Sequence, residues 1–145
     1  MAGEKLTAPG SPCAAAQTLF TSATVTATTS GGSFTGVERY TTAVFHLVGA
    51  TVTGTSPTFD VYIQTLLPDN TTWQDIIHFT QMTTSNLTQI AHFVTGAASI
   101  AAVQTAALAA ATTKAISLGH TIRVHIVVGG TNPSGVIVVK ATFFE

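Results

Sequence analysis

Between Thr58 and Phe79 apolar and polar positions alternate on either side of a turn. Phe59, Val61 and Ile63 share one face of an extended chain, and Asp60, Tyr62 and Gln64 share the other, the two-residue period of a half-buried strand. Pro68-Asp69-Asn70 ends the run: Pro presets the first central angle of a turn, and Asp and Asn tolerate the left-handed backbone that follows. The chain returns through Trp73, Ile77 and Phe79. This pattern predicts a β-hairpin closed by a loop of roughly three to five residues.

The same period recurs along the chain. Leu19, Thr21, Ala23, Val25 and Ala27 form a weak first strand that is expected to end at Ser30-Gly31-Gly32-Ser33. From Tyr40 to Val48, Ala43, Phe45 and Leu47 oppose Val44, His46 and Val48. Both faces are partly apolar there, which predicts cover by the protein's own core on one side and by a partner on the other. Leu87, Gln89, Ala91 and Phe93 oppose Thr88, Ile90, His92 and Val94; Ile122, Val124, Ile126 and Val128 alternate with Thr121, Arg123, His125 and Val127; Ile137, Val139, Ala141 and Phe143 complete a last strand.

Two segments echo each other. Gly54-Thr55-Ser56-Pro57-Thr58 and Gly130-Thr131-Asn132-Pro133-Ser134 stand between strands of the same kind. Gly permits positive φ, and Pro cannot donate to a central ladder and keeps its predecessor extended. Each echo is therefore read as a turn joining separate strands, which gives two comparable hairpins. Between Thr95 and Leu118 the spacing of Ile100, Val103, Ala107, Leu108 and Ala111 fits either one face of a helix or an extended loop. Residues 1–16, with Pro9-Gly10 and Ser11-Pro12 and no periodicity, read as a flexible arm, and residues 17–145 as a single domain. About seven or eight short strands with frequent turns predict an all-β fold, an antiparallel β-sandwich with a jelly roll as the expected topology. Phe59, Val61, Ile63, Ile122, Val124, Ile126, Ile137, Val139 and Phe143 are its expected core.

Composition sharpens the question of surface. Only 8% of the 145 residues are charged, against about 25% in a typical soluble domain, and Thr fills roughly a fifth of all positions, a residue suited to a pleated surface. With a net charge of -1 little electrostatic repulsion opposes self-association. A hardy Thr-rich monomer fits these numbers; a protomer whose apolar excess is covered in an oligomer fits them better. Lys5, Arg39, Lys114, Arg123 and Lys140 are spread over the whole length, so no nucleic-acid footprint is expected. The apolar segment Ala97 to Ala111 contains Ser99, Gln104 and Thr105, so no membrane span is expected either. No signal-peptide run follows Glu4 and Lys5. Cys13, the single cysteine, excludes an internal disulfide and reads as an incidental thiol.

Candidate chemistry is sparse. The carboxylates are Glu4, Glu38, Asp60, Asp69, Asp75 and Glu145; Asp60 and Asp75 could oppose across the hairpin, with nothing to place them at a sugar-cleaving separation. His46, His78, His92, His120 and His125 lie at or beside strand positions. His78 and His92 could approach on adjacent strands, but no third ligand of compatible spacing accompanies them. There is no phosphate loop, nucleophile elbow or HExxH. The expectation is therefore no catalytic residues, no cofactor and no metal. PDNTTW resembles a single Asp-box turn and is taken as hairpin chemistry. Asn70-Thr71-Thr72 and Asn86-Leu87-Thr88 are sequons that matter only in a secretory lumen.

GTSPTFDVYIQTLLPDNTTWQDIIHFTQ, followed late by IRVHIVVGGTNPSGVIVVKATF, resembles the small β-sandwich virion proteins of tailed bacteriophages, with capsid decoration or cement proteins as the best-fitting class. The likeness covers Arg39 to Val94 and His120 to Phe143. It implies a jelly-roll protomer, made in the host cytoplasm, that assembles as a homotrimer on the outer capsid surface and clamps the major capsid protein without catalysis. An adhesin or carbohydrate-binding module is the alternative, using Trp73 or Tyr62 to stack on sugar rings. The opposing expectation is that the single Trp belongs to the core.

Overall fold

Two long strands carry the whole architecture. The computed structural model describes residues 16–95, 108–114 and 118–145, and in it the chain forms β1 (Gln17–Val25), β2 (Thr29–Ser30), β3 (Phe34–Thr35), β4 (Thr42–Leu66), β5 (Trp73–His78), β6 (Leu87–Val94), β7 (Thr112–Thr113) and β8 (Thr121–Phe144). All pairings are antiparallel, and no helix occurs among the described residues. The expected arm and most of the Ala-rich segment, with Cys13, lie outside the described residues. The described part of that segment, at Thr112–Thr113, is a short strand on β5.

The two glycine-proline echoes do not divide strands. β4 and β8 each run through their echo without reversing, and they pair with each other from Thr42↔Phe144 to Thr65↔Ile122. The expectation of two further hairpins is thereby corrected. The register shifts between Ala50 and Thr58, and the backbone takes positive φ at Thr51, Gly54 and Ser56 and at Gly130 and Asn132. Positive φ combined with bulging bends a strand sharply while leaving its direction intact. Proline, which cannot donate, sits where the ladder is already interrupted.

The two bends face each other with approximate two-fold symmetry. A Cβ on Gly54 would lie 2.8 Å from the Asn132 carbonyl oxygen and 3.0 Å from Pro133 Cα; one on Gly130 would lie 2.5 Å from the Ser56 carbonyl oxygen and 2.9 Å from Pro57 Cα. Each glycine thus supports the proline corner of the other echo. The echo is a structural device made of two copies in contact.

Folding at this corner turns one open sheet into two layers, as in sandwiches whose strands switch sheets at bulges. The first layer runs β1, the second half of β8, the first half of β4, β6; the second runs β2 and β3, the first half of β8, the second half of β4, β5, β7. This order establishes an antiparallel all-β fold consistent with a β-sandwich, and does not by itself assign a jelly roll. Between the pairs Ala50↔Val136 and Thr58↔Gly129 the chain takes eight residue steps on β4 and seven on β8. The even count keeps the inward parity of β4, while the odd count reverses that of β8: Ile122, Val124 and Ile126 are buried before its corner, and Ile137, Val139, Ala141 and Phe143 after it.

All nine expected core residues are buried, in one cluster with Ala43, Phe45, Leu47, Phe93 and others. Burying each large side chain contributes roughly 1.5 to 3 kcal/mol. Phe59 ties the layers together: its ring lies against Gly135 in the other half of β8, and its backbone exchanges two 2.9 Å hydrogen bonds with Met82. Ser85 fastens the following loop to the corner, its hydroxyl accepting from the Val52 N–H at 2.8 Å.

The β4–β5 hairpin closes as its residues predict. Leu67 N–H donates to the Thr72 carbonyl at 2.8 Å, leaving Pro68 to Thr71 as the loop, with Asn70 at φ 56°. The Asp69 carboxylate accepts from the Thr71 and Thr72 amides at 3.0 and 2.8 Å and from the Thr72 hydroxyl. The Thr72 hydroxyl and then these amides hold its carboxyl at about 2, below the ordinary 3.8. A carboxylate with a depressed pKa stabilises the fold above its unfolded value, and that contribution disappears as pH falls through the folded value. Asp69→Ala is therefore expected to lower the melting midpoint at pH 7, with the gap from wild type closing as pH falls from 4 toward 2. A gap that persists unchanged at pH 2 would show that charge plays no part.

Candidate functional site

The outward face of the second layer gathers six titratable residues on three adjacent strands. On β4 it presents Asp60, Tyr62 and Gln64, on β8 Arg123 and His125, and on β5 Asp75 and His78. The ladder pairs Ile63↔Ile77 and then Gln64↔Asp75, so β5 carries one extra residue, Ile76. This bulge lets Ile76 and Ile77 both enter the core. It also puts Asp75 and His78, three apart in sequence, on the same outer face, which plain alternation does not foresee.

Two hydrogen-bonded rows cross this face. In one, Arg123 Nε donates to Gln64 Oε1 at 2.8 Å, Gln64 Nε2 donates to Asp75 Oδ1 at 2.8 Å, and the Leu108 N–H donates to Asp75 Oδ2 at 3.3 Å. In the other, His78 Nε2 meets Asp60 Oδ1 at 3.0 Å, His78 Nδ1 meets the Leu108 carbonyl at 2.8 Å, and Gln81 Nε2 donates to Asp60 Oδ2 at 2.8 Å. Asp60 and Asp75 therefore do not oppose each other across the hairpin; each is held by a different partner. Together, Asp75 and His78 clamp both main-chain groups of Leu108. Both ring nitrogens of His78 are engaged, and no buried side-chain nitrogen or oxygen lacks a partner among the described residues.

Burial and neighbouring charges tune the members. Burial, then the Asp60 and Asp75 carboxylates, raise the Tyr62 phenol. Burial lowers the Arg123 guanidinium, opposed by Asp75. Burial, then Arg123, lowers the His125 imidazole, which is 2.8 Å from the Ser30 hydroxyl through Nδ1. Gln64 and Asp75 are nearly fully buried, and a buried donor left without its acceptor costs about 1–3 kcal/mol. Asp75→Ala is expected to destabilise by about that much and to speed amide exchange at Leu108, whereas Asp75→Asn, which keeps an acceptor, should lose less. Unchanged protection of the Leu108 amide in Asp75→Ala would remove the clamp.

The two aromatic candidates are not free platforms. Tyr62 stacks on His78 with ring centroids 4.0 Å apart, and the Arg123 guanidinium lies 4.1 Å from the centre of the Trp73 ring. Trp73 is only half-buried at the end of the hairpin, correcting its assignment to the core: it covers Arg123 instead. His78 and His92 sit on β5 and β6, strands that do not pair, and both line one cleft of about 260 Å³. No group of three His, Cys, Asp or Glu side chains suited to a metal occurs among the described residues. His120 and Glu38 form an exposed pair at 3.0 Å, and Arg39 and Glu145 another at 3.4 Å, worth little in water. Asn70 and Asn86 lie exposed in loops, both with positive φ.

The outward face of the first layer is different in kind. Its cross-strand rows read Val94–Thr42–Phe144, His92–Val44–Thr142, Ile90–His46–Lys140 and Thr88–Val48–Val138. Lys140 is the one residue of these rows with a permanent charge. Ile90 is 72% exposed, Val94 50% and Phe144 36%, on a face that the rest of the described chain leaves uncovered. The doubly apolar pattern of residues 40–48 announced this surface. That β6 borders it as an edge strand among the described residues was not legible, because edge position depends on pairing across the fold. Compared with known protein families, curated proteins and solved structures, the chain matches none.

Proposed function

We propose that this protein is a structural component of a virion, a self-associating β-sandwich that attaches to the outer surface of a tailed-phage capsid and stabilises the shell without catalysis. The observation that supports it most is the first-layer face, where Ile90, Val94 and Phe144 are exposed beside Val44, Val48 and Val138 with a single nearby cation. A face that interleaves exposed apolar side chains with Thr and His, and carries one permanent charge in these rows, is suited to protein contact. The second-layer face adds support, since its polar residues bond to one another and to Leu108. A protein that binds only the assembled shell stabilises it by mass action.

Mass measurement in solution, followed by co-sedimentation with capsids lacking the protein, tests both parts. The expected result is an oligomer that sediments with shells and raises their melting temperature. A monomer at high concentration that ignores capsids and binds glycans in a Trp73-dependent way would overturn the reading in favour of an adhesin.

A further inference from the structure

The geometry points to β6 as the contact strand between two copies of this chain: we propose that Thr88–Val94 pairs antiparallel with the same segment of a second molecule, joining two first layers into one continuous sheet. The inference rests on the reading of the protein as self-associating, and is independent of what the assembly attaches to.

The backbone defines the contact. Thr95 N–H donates to the Thr41 carbonyl at 2.7 Å, and β6 is in register with β4 from Thr42↔Val94 to Gly49↔Leu87. In an antiparallel ladder hydrogen-bonded pairs alternate with non-bonded ones. Residues 87, 89, 91 and 93 therefore turn their N–H and C=O groups toward β4, while Thr88, Ile90, His92 and Val94 turn theirs outward. β6 pairs with no described strand besides β4. An edge that the described strands leave unpaired is normally protected by Lys, Pro or a bulge. β6 reads LTQIAHFV, with none of these and no register shift.

A second copy meets the demands of this edge. With the two-fold axis at Ala91, Thr88 faces Val94 of the other molecule and Ile90 faces His92, and the same pairs recur on the other side of the axis. All four outward-turned residues are then used in each copy, every pair exchanging two hydrogen bonds. The exposed Ile90 and Val94 side chains become cross-strand neighbours within the enlarged face. Charge allows it: β6 carries no Asp, Glu, Lys or Arg. The cation in the cross-strand rows of this face, Lys140, lies two strands in from the edge. Its twin would be five strand spacings away, about 24 Å, well beyond a Debye length of about 8 Å. The unit is then a two-fold dimer, in place of the trimer that the resemblance implies.

The test uses the full-length chain with two edge variants. Ile90→Lys places a charge on the edge, and His92→Pro removes an outward N–H that β4 does not use. Light scattering after gel filtration should give wild type twice the 14.9 kDa of one chain. Both variants should run as single chains with wild-type circular dichroism, their self-association weakened at least about tenfold. Hydrogen exchange gives a second reading: amides of Ile90 and His92 should be protected in wild type and exposed in Ile90→Lys, while Gln89 and Ala91, bonded to β4, stay protected in both. Variants that keep the wild-type oligomeric mass, or unprotected Ile90 and His92 amides in a wild-type oligomer, would overturn the β6 contact while leaving self-association standing. A wild-type monomer would overturn both.

Discussion

Gly130→Val is expected to destabilise the protein by roughly 3 kcal/mol or more, enough to threaten folding at physiological temperature. Two effects add. The residue has φ 98°, where a β-branched side chain is strained by about 1–3 kcal/mol. Its Cβ would also lie 2.5 Å from the Ser56 carbonyl oxygen and 2.9 Å from Pro57 Cα, backbone atoms that cannot swing aside. Gly54→Val should act in the same direction and somewhat less, because its nearest contact is 2.8 Å. Urea denaturation measures both. The two sites share one corner, so the double variant should lose less than the sum of the singles. Full additivity, or an unchanged midpoint in either single variant, would show that the two echoes do not brace each other.

Phe59→Ala is expected to cost about 3–5 kcal/mol, the range for a large aromatic removed from a close-packed core. Phe59 is fully buried and lies where the layers meet, against Gly135, so neither layer can close the gap without moving the corner. Phe45→Ala, inside the first layer, removes the same ring from beside Phe143, whose centroid is 5.9 Å away, and should cost a similar amount. The two differ in reach: Phe59→Ala should speed amide exchange in both halves of β8, and Phe45→Ala chiefly in the first layer. Equal, local effects would remove the special position of Phe59. A loss below about 1 kcal/mol would contradict its burial.

Most of the strand content was legible from residues. The alternation at 59–63, 87–94 and 122–128 marks the correct inner faces, and Pro68-Asp69-Asn70 marks the hairpin loop, because these features depend on neighbours in sequence. The misreadings share a cause. GTSPT and GTNPS carry the composition of chain-reversing turns, yet each bends a continuous strand, since the partner that holds it is the other echo, some 76 positions away and beyond any local rule. Trp73, the single Trp, was expected in the core, yet it lies over Arg123, a residue it meets only through β4.

The outward face of the first layer divides in the same way. A strand partly apolar on both sides, in a chain with 8% charged residues, leads to the expectation that Val44 and Val48 are covered. What tertiary structure decided is where that face lies and what borders it. Pairing with β8 on one side and β6 on the other places residues 42–50 inside the first layer and leaves β6 at its rim. The cluster of Asp60, His78, Gln64, Asp75 and Arg123 is also completed by tertiary structure: alternation puts Asp60 and Gln64 on one face, while the Ile76 bulge adds Asp75 and His78 and the pairing with β8 adds Arg123. Alternation in sequence determined which side chains turn inward, since that follows from the geometry of one extended chain. Only the long-range pairing of β4 with β8, and the corner where their glycines meet, decided which outward faces came together.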